Sequence, residues 1–289
     1  MTIQLGILLA LACAFTTNVA YLLKHRGTRC APEVTMRHPL RSAVGLFRSK
    51  WFTIGMVVAA GALIFHVGAL ALAPLSLVHA VTSGGLVFLT VLADRCFGLE
   101  LGLRQWLGVA LTAIGLSLLA VTLPTGADAH SGYSVAGMIS FEAGLLAIGT
   151  LLVFAPQFGV HHAHHGVFMG AAAGILIGVS DVALKALTGT VGSDGFAGLL
   201  SPWLLTCLTA SVIAFFASAR GLQQGEAVPV ITITSAAANV SAIGGGILVF
   251  GDPMPSDPLG VVVQCLAFVL VIIAAALTPA PMRAAAATA

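Results

Sequence analysis

Apolar stretches of 19 or more residues alternate along this chain with short segments that carry charges, prolines or clustered polar residues. Nine such stretches are present, at 3–23, 51–72, 75–93, 105–123, 135–155, 166–187, 202–222, 228–250 and 258–277. A hydrocarbon layer about 30 Å thick is crossed by roughly 20 apolar residues in a helix. A membrane barrel would instead show segments of about ten residues with alternating polarity. The pattern therefore predicts an all-α integral membrane protein with about nine transmembrane helices and no sizeable soluble domain.

Composition agrees: 58% of the 289 residues are apolar and 8% are charged, where a soluble domain carries about 25% charged residues. The placement of the few charges is more telling than their sum. Cytoplasmic loops near the membrane concentrate Lys and Arg. The connection after the first helix holds Lys24, Arg26, Arg29, Arg37, Arg41, Arg48 and Lys50. Placing it in the cytoplasm also puts Arg95, Arg104, Arg220 and Arg283 there, eleven of the twelve cations, with Lys185 the exception. Asp128, Asp194, Asp252 and Asp257 then lie on the outer face. This orients the N-terminus outside and the C-terminus in the cytoplasm, in the cell (inner or plasma) membrane. The first apolar run is followed rather than preceded by positive charge, the reverse of a signal peptide. Within the 24–50 loop, Leu40, Val44, Phe47 and Trp51 recur at helical spacing with Arg41 and Arg48 on another face. That pattern fits an interfacial helix on anionic lipid, or equally a merely basic loop.

Shifting the sequence by 152 positions superposes Trp51 on Trp203, Glu100 on Asp252 and Gly108 on Gly260. Helices 2–4 thereby pair with helices 7–9, and helix 1 with helix 6, where Asn18-Val19-Ala20 resembles Asp181-Val182-Ala183. Paired helices lie five crossings apart, so the two halves run in opposite directions through the bilayer. The resulting plan is 4+1+4: residues 1–123, a linker at 124–165 holding helix 5 and a His-rich loop, and residues 166–289. Inverted repeats of this kind are an architecture of secondary transporters that work by alternating access.

The run Ala71-Leu72-Ala73-Pro74-Leu75-Ser76-Leu77-Val78, then Phe97-Gly98, Glu100 and Trp106-Leu107-Gly108, resembles the drug/metabolite transporter superfamily, in particular its EamA-like and NIPA-like branches. The second half repeats it from Gly221 through Pro229 to Gly251-Asp252 and Gly260. Glu100 stands one place later than the usual acid, and Asp252 replaces Glu. The nine helices are nearer the NIPA-like pattern than the ten of many relatives. The resemblance implies a gradient-driven carrier of small solutes.

Ionisable groups inside a membrane are costly and mark pathways or coupling sites. Glu142 in helix 5 and Asp181 with Lys185 in helix 6 are the foremost candidates. Asp181 and Lys185 stand four apart with the acid first, a favourable intrahelical pair; they are either a neutralised bridge or a ligand whose charge the lysine sets. Asn18, His66, His79 and Asn239 are further substrate or coupling candidates, each also readable as a packing residue. His66 and His79 lie toward the outer half and could line a vestibule. Gly170, Gly174 and Gly178 read as a close helix contact. Gly244-Gly245-Gly246 and Ser83-Gly84-Gly85 mark either helix interruptions or bends. His161, His162, His164 and His165 could hold Zn²⁺, Ni²⁺ or Co²⁺ if helical, or form a solvated loop.

No phosphate-binding loop, H-E-x-x-H or G-x-S-x-G occurs, so an enzyme is not expected. The five cysteines have no C-x-x-C spacing. No cofactor is expected beyond a coupling proton or cation, and no nucleic-acid partner. The leading cargo is a small polar or amphipathic metabolite. The alternatives are a NIPA-like carrier of Mg²⁺ or another divalent cation, and a lipid-handling or assembly factor.

Overall fold

The computed structural model describes residues 2–28, 44–84, 103–122, 132–154, 165–224 and 227–277. These form α1 (Thr2–Thr28), α2 (Lys50–Leu72), α3 (75–84), α4 (Leu103–Thr122), α5 (Val135–Phe154), α6 (His165–Asp194), a 3₁₀ turn (Gly195–Leu200), α7 (Pro202–Gln224), α8 (Ala227–Leu248) and α9 (Pro258–Leu277). No strand occurs among the described residues. Four helical stretches are long and apolar enough to cross a membrane: Lys50–Leu72, Val135–Phe154, His165–Leu200 and Pro202–Gly221. Shorter apolar helices cover Thr2–Thr17, Trp106–Leu119, Ile233–Leu248 and Pro258–Ala274.

Large side chains such as Val57, Ile64, Val121, Leu151 and Leu205 are exposed, whereas many interior positions are alanines, including Ala69, Ala73, Ala172, Ala183, Ala242 and Ala267. In water this distribution would be inverted; in hydrocarbon, helices associate through small residues that let backbones approach. The protein is an all-α membrane protein. Helix α6 is its centre: 67% of its apolar span is buried, against 17–22% for the other three long spans. It packs chiefly on α7 and α8, while α1 packs on α2 and α4 on α9.

Helix α6 outruns its apolar stretch, ending at Asp194 rather than near Leu187. The hydroxyls of Thr188, Thr190 and Ser193 donate to the carbonyls of Lys185, Leu187 and Thr190 within the same helix, so the hydroxyls of its polar C-terminal end are satisfied internally. Helix α8 continues through Gly244–Gly246, so these glycines do not interrupt it. Gly245 faces Val182 and Phe141 instead, and Gly246 faces Asp252 and Ser76.

Pro74 shapes the junction between α2 and α3. A residue before proline is pushed out of the helical region, and Ala73 is extended at φ −140°, ψ 157°. This ends α2 and opens α3 with the proline where a missing N–H costs nothing. Nearby, Tyr133 packs edge-on against Trp203 and Phe250 at centroid distances of 5.6 and 5.9 Å, and the Trp203 indole N–H donates to the Tyr133 hydroxyl. At the other end of α2, Leu46 and Phe52 are buried beside Met56, Phe215 and Phe216. Val44, Phe47 and Trp51 of the expected interfacial stripe are exposed; Leu40 and Arg41 lie outside the described residues.

Candidate cation site

Helix ends, proline breaks and small-residue contacts bring the rare polar side chains together around α6. His66 lies six residues before the end of α2, about 9 Å along the axis at a rise of about 1.5 Å per residue. His79 is on the first turns of α3. The break at Pro74 folds the two helices back on each other, so the imidazoles meet edge to face with centroids 5.7 Å apart.

Asp181 on α6 closes the cluster. Its Oδ1 is 3.1 Å from His66 Nε2, and its Oδ2 is 3.3 Å from His79 Nε2. One donor atom from each of the three side chains lies within 4.8 Å of the others. His79 Nδ1–H donates to Asn239 Oδ1 on α8 at 3.2 Å. His79 Nε2 is buried and makes no hydrogen bond, since its approach to Oδ2 is off the hydrogen-bond direction. Four helices thus contribute to one small polar centre: α2, α3, α6 and α8. The Cys13 thiol on α1 also lies beside His66. The vestibule expected for the two histidines is instead a largely closed interior, with His79 only 5% exposed.

Lys185 corrects the sequence-based pairing. It is fully buried, yet its ammonium donates to the carbonyls of Leu70 at 2.6 Å and Ala73 at 3.0 Å rather than to Asp181. These carbonyls belong to the end of α2, where the break leaves acceptors without helical donors and the helix dipole favours a cation. Asp252 also pulls on the ammonium electrostatically. The Asp252 carboxylate in turn accepts from the Ser76 N–H at 2.6 Å, capping α3. Gly246 makes this approach feasible, because a Cβ there would collide with the carboxylate.

Glu142 is buried on α5, and its Oε1 has no hydrogen-bond partner; it is not part of the Asp181 cluster. Ser180, beside Asp181, contacts Ser211 Oγ at 2.7 Å and donates to the Cys207 carbonyl at 3.2 Å, tying α6 to α7. The glycine stripe of α6 lies against α8: Gly170 approaches Val230 and Thr234, Gly174 approaches Thr234 and Ala237, and Gly178 approaches Ser241. Asn18 is on α1, but its side chain lies outside the described residues, as do His161, His162 and His164; His165 begins α6. Sequence reasoning missed the Lys185–carbonyl contacts and the capping role of Asp252. The signal available for them was the pair of breaks at Pro74 and Gly251.

Two clefts are lined by Ala113, Ile114, Ser117, Leu118 and Val121, and by Gly132, Tyr133, Gly189, Thr190 and Ser193; neither includes His66, His79 or Asp181. The chain is similar to a protein of Arabidopsis thaliana described as a probable magnesium transporter, NIPA9, with 24% identity over 285 residues, covering 93% of this chain and 80% of that protein. No family model matches the chain, and no solved structure matches it.

Proposed function

We propose that this protein is a secondary transporter that carries divalent cations across the membrane by alternating access, with the His66–His79–Asp181 centre on the cation's route. The observation that carries the reading is a carboxylate inside an apolar helix bundle, held between two imidazoles from two other helices. A buried carboxylate of this kind is expensive in a membrane unless a cation or proton meets it. Of the cargoes weighed from the sequence, the similarity to a probable magnesium transporter over nearly the whole chain favours the cation over the metabolite.

Alternating access draws on the inverted repeat. In its support, α1 packs on α2 as α6 packs on α7, and α4 packs on α9, its partner in the repeat. On the positive-inside orientation, the Pro74 break and Lys185 lie on the outer side of Asp181, and the mouth near His165 faces the cytoplasm.

The test uses purified protein in liposomes loaded with a divalent-cation indicator. Uptake of Mg²⁺ or another dication should exceed that of empty liposomes. In Asp181→Asn, which keeps shape and removes charge, it should fall at least about tenfold, a loss of roughly 1.4 kcal/mol in cation stabilisation. Wild-type protein that moves no dication, or Asp181→Asn protein that transports like wild type, would overturn the reading.

A further inference from the structure

We infer that His66, His79 and Asp181 form a three-ligand binding site for a first-row transition-metal dication such as Zn²⁺, Fe²⁺ or Co²⁺, in preference to Mg²⁺. This rests on the carrier reading for the fate of the bound ion and on the geometry alone for the binding itself.

The donor set is the first argument. Two imidazoles and one carboxylate are intermediate in softness and suit Zn, Fe and neighbouring metals. Mg²⁺ demands a near-octahedral shell of oxygens and gives up its water reluctantly. Asp181 supplies the carboxylate, and the described residues place two nitrogens rather than further carboxylates opposite it.

The spacing is the second. Metal–ligand bonds of about 2.0–2.2 Å at tetrahedral angles set neighbouring donors roughly 3.3–3.6 Å apart. The two imidazole nitrogens stand 3.1 and 3.3 Å from the two oxygens of the Asp181 carboxylate, the first as a hydrogen bond that a metal would replace. One donor atom from each side chain lies within 4.8 Å of the others, so a contraction of about 1 Å brings all three to that spacing. The three side chains come from α2, α3 and α6 and are mostly or fully buried, so the site is held by tertiary packing rather than by one flexible loop.

Orientation is the third. A metal-binding histidine commonly donates its other ring N–H to a carbonyl or carboxylate, which fixes the tautomer and aims the lone pair at the metal. His79 does this: Nδ1–H is committed to Asn239 Oδ1, so in the neutral ring Nε2 carries the lone pair, 3.3 Å from Asp181 Oδ2 and without a hydrogen bond. Two acceptor atoms this close, an imidazole nitrogen and a carboxylate oxygen, repel until a cation stands between them. Asn239 is thus a positioning residue for a ligand, on the helix that also packs against the glycine stripe of α6.

The experiment is a titration of the full-length protein in detergent micelles with CoCl₂, read by the ligand-field absorption of Co²⁺ bound through nitrogen. One equivalent should bind saturably and remain bound against about a hundredfold excess of MgCl₂. His66→Gln and His79→Gln should each weaken it at least about tenfold, and Asn239→Ala less severely, in variants that elute as wild type does. Because the wild-type titration needs no variant, a folding defect cannot hide failure. Absence of saturable nitrogen-bound Co²⁺, or its displacement by equimolar Mg²⁺, overturns the inference. If liposomes show Mg²⁺ transport by protein that binds no Co²⁺, the inference falls and the carrier reading stands. If Co²⁺ binds tightly but no dication crosses, the site stands and the carrier reading falls.

Discussion

Replacing Lys185 with methionine tests the α2–α3 junction most directly. The ammonium is completely buried and donates two hydrogen bonds, to the carbonyls of Leu70 and Ala73. Hydrogen bonds from a charged group contribute about 1.5–3 kcal/mol each, and removing one partner of a buried charge pair typically costs 3–5 kcal/mol. Methionine keeps most of the apolar stem, which returns part of the packing. The expected net loss is about 3 kcal/mol, roughly a hundredfold in the folding equilibrium. Reversible unfolding of the purified protein in mixed detergent micelles measures it. A double-mutant cycle supplies the sharper reading: Lys185→Met with Asp252→Asn should be non-additive by about 1 kcal/mol or more, and Lys185→Met with Asp181→Asn by clearly less. A loss under about 1 kcal/mol, or a cycle that couples Lys185 to Asp181 more strongly than to Asp252, refutes this account.

Gly174→Ala should destabilise by about 1–3 kcal/mol through overpacking, because its Cβ would lie 2.8 Å from Ala237 Cβ and 3.0 Å from the Ala238 nitrogen; the same unfolding assay checks it. Gly251 adopts φ 62°, so Gly251→Ala should cost about 1 kcal/mol and Gly251→Asn less, asparagine being the better tolerated in the left-handed region. A single cysteine introduced at Ser42 of a cysteine-free protein should react with an impermeant thiol reagent only from the cytoplasmic side; labelling from outside would refute the positive-inside orientation.

Most helix limits were legible because a membrane imposes one strong rule: every backbone polar group must be satisfied within the span. Among the described residues several apolar runs therefore coincide with helices almost residue for residue, as at 51–72 against Lys50–Leu72 and 258–277 against Pro258–Leu277. Prolines 74, 202 and 258 mark helix starts for a reason visible in the residue itself. The long polar tail of α6 was not legible, since it depends on Thr188, Thr190 and Ser193 turning their hydroxyls back onto the helix. The cluster was legible only as separate residues. His66, His79 and Asp181 span 115 positions, and no local spacing reports that the turn at Pro74 and the packing of α2 on α6 bring them into contact.

The fate of Lys185 shows why local rules fail in such a place. An acid–base pair four residues apart on a helix gains only about 0.2–0.5 kcal/mol, and it would leave both groups short of hydrogen bonds in an apolar surround. The break at Pro74 offers Lys185 two carbonyls, each worth several times as much to a charged donor. Once the lysine takes them, Asp181 lacks its sequence neighbour and faces two imidazoles instead. A strong lysine–aspartate bridge would have filled the centre with an internal cation. By anchoring Lys185 to the end of α2, the fold leaves the Asp181 carboxylate to partners that can also coordinate a metal. The helix break and the candidate cation site are therefore one arrangement, and a substitution that straightened the chain at Pro74 would be expected to disturb both.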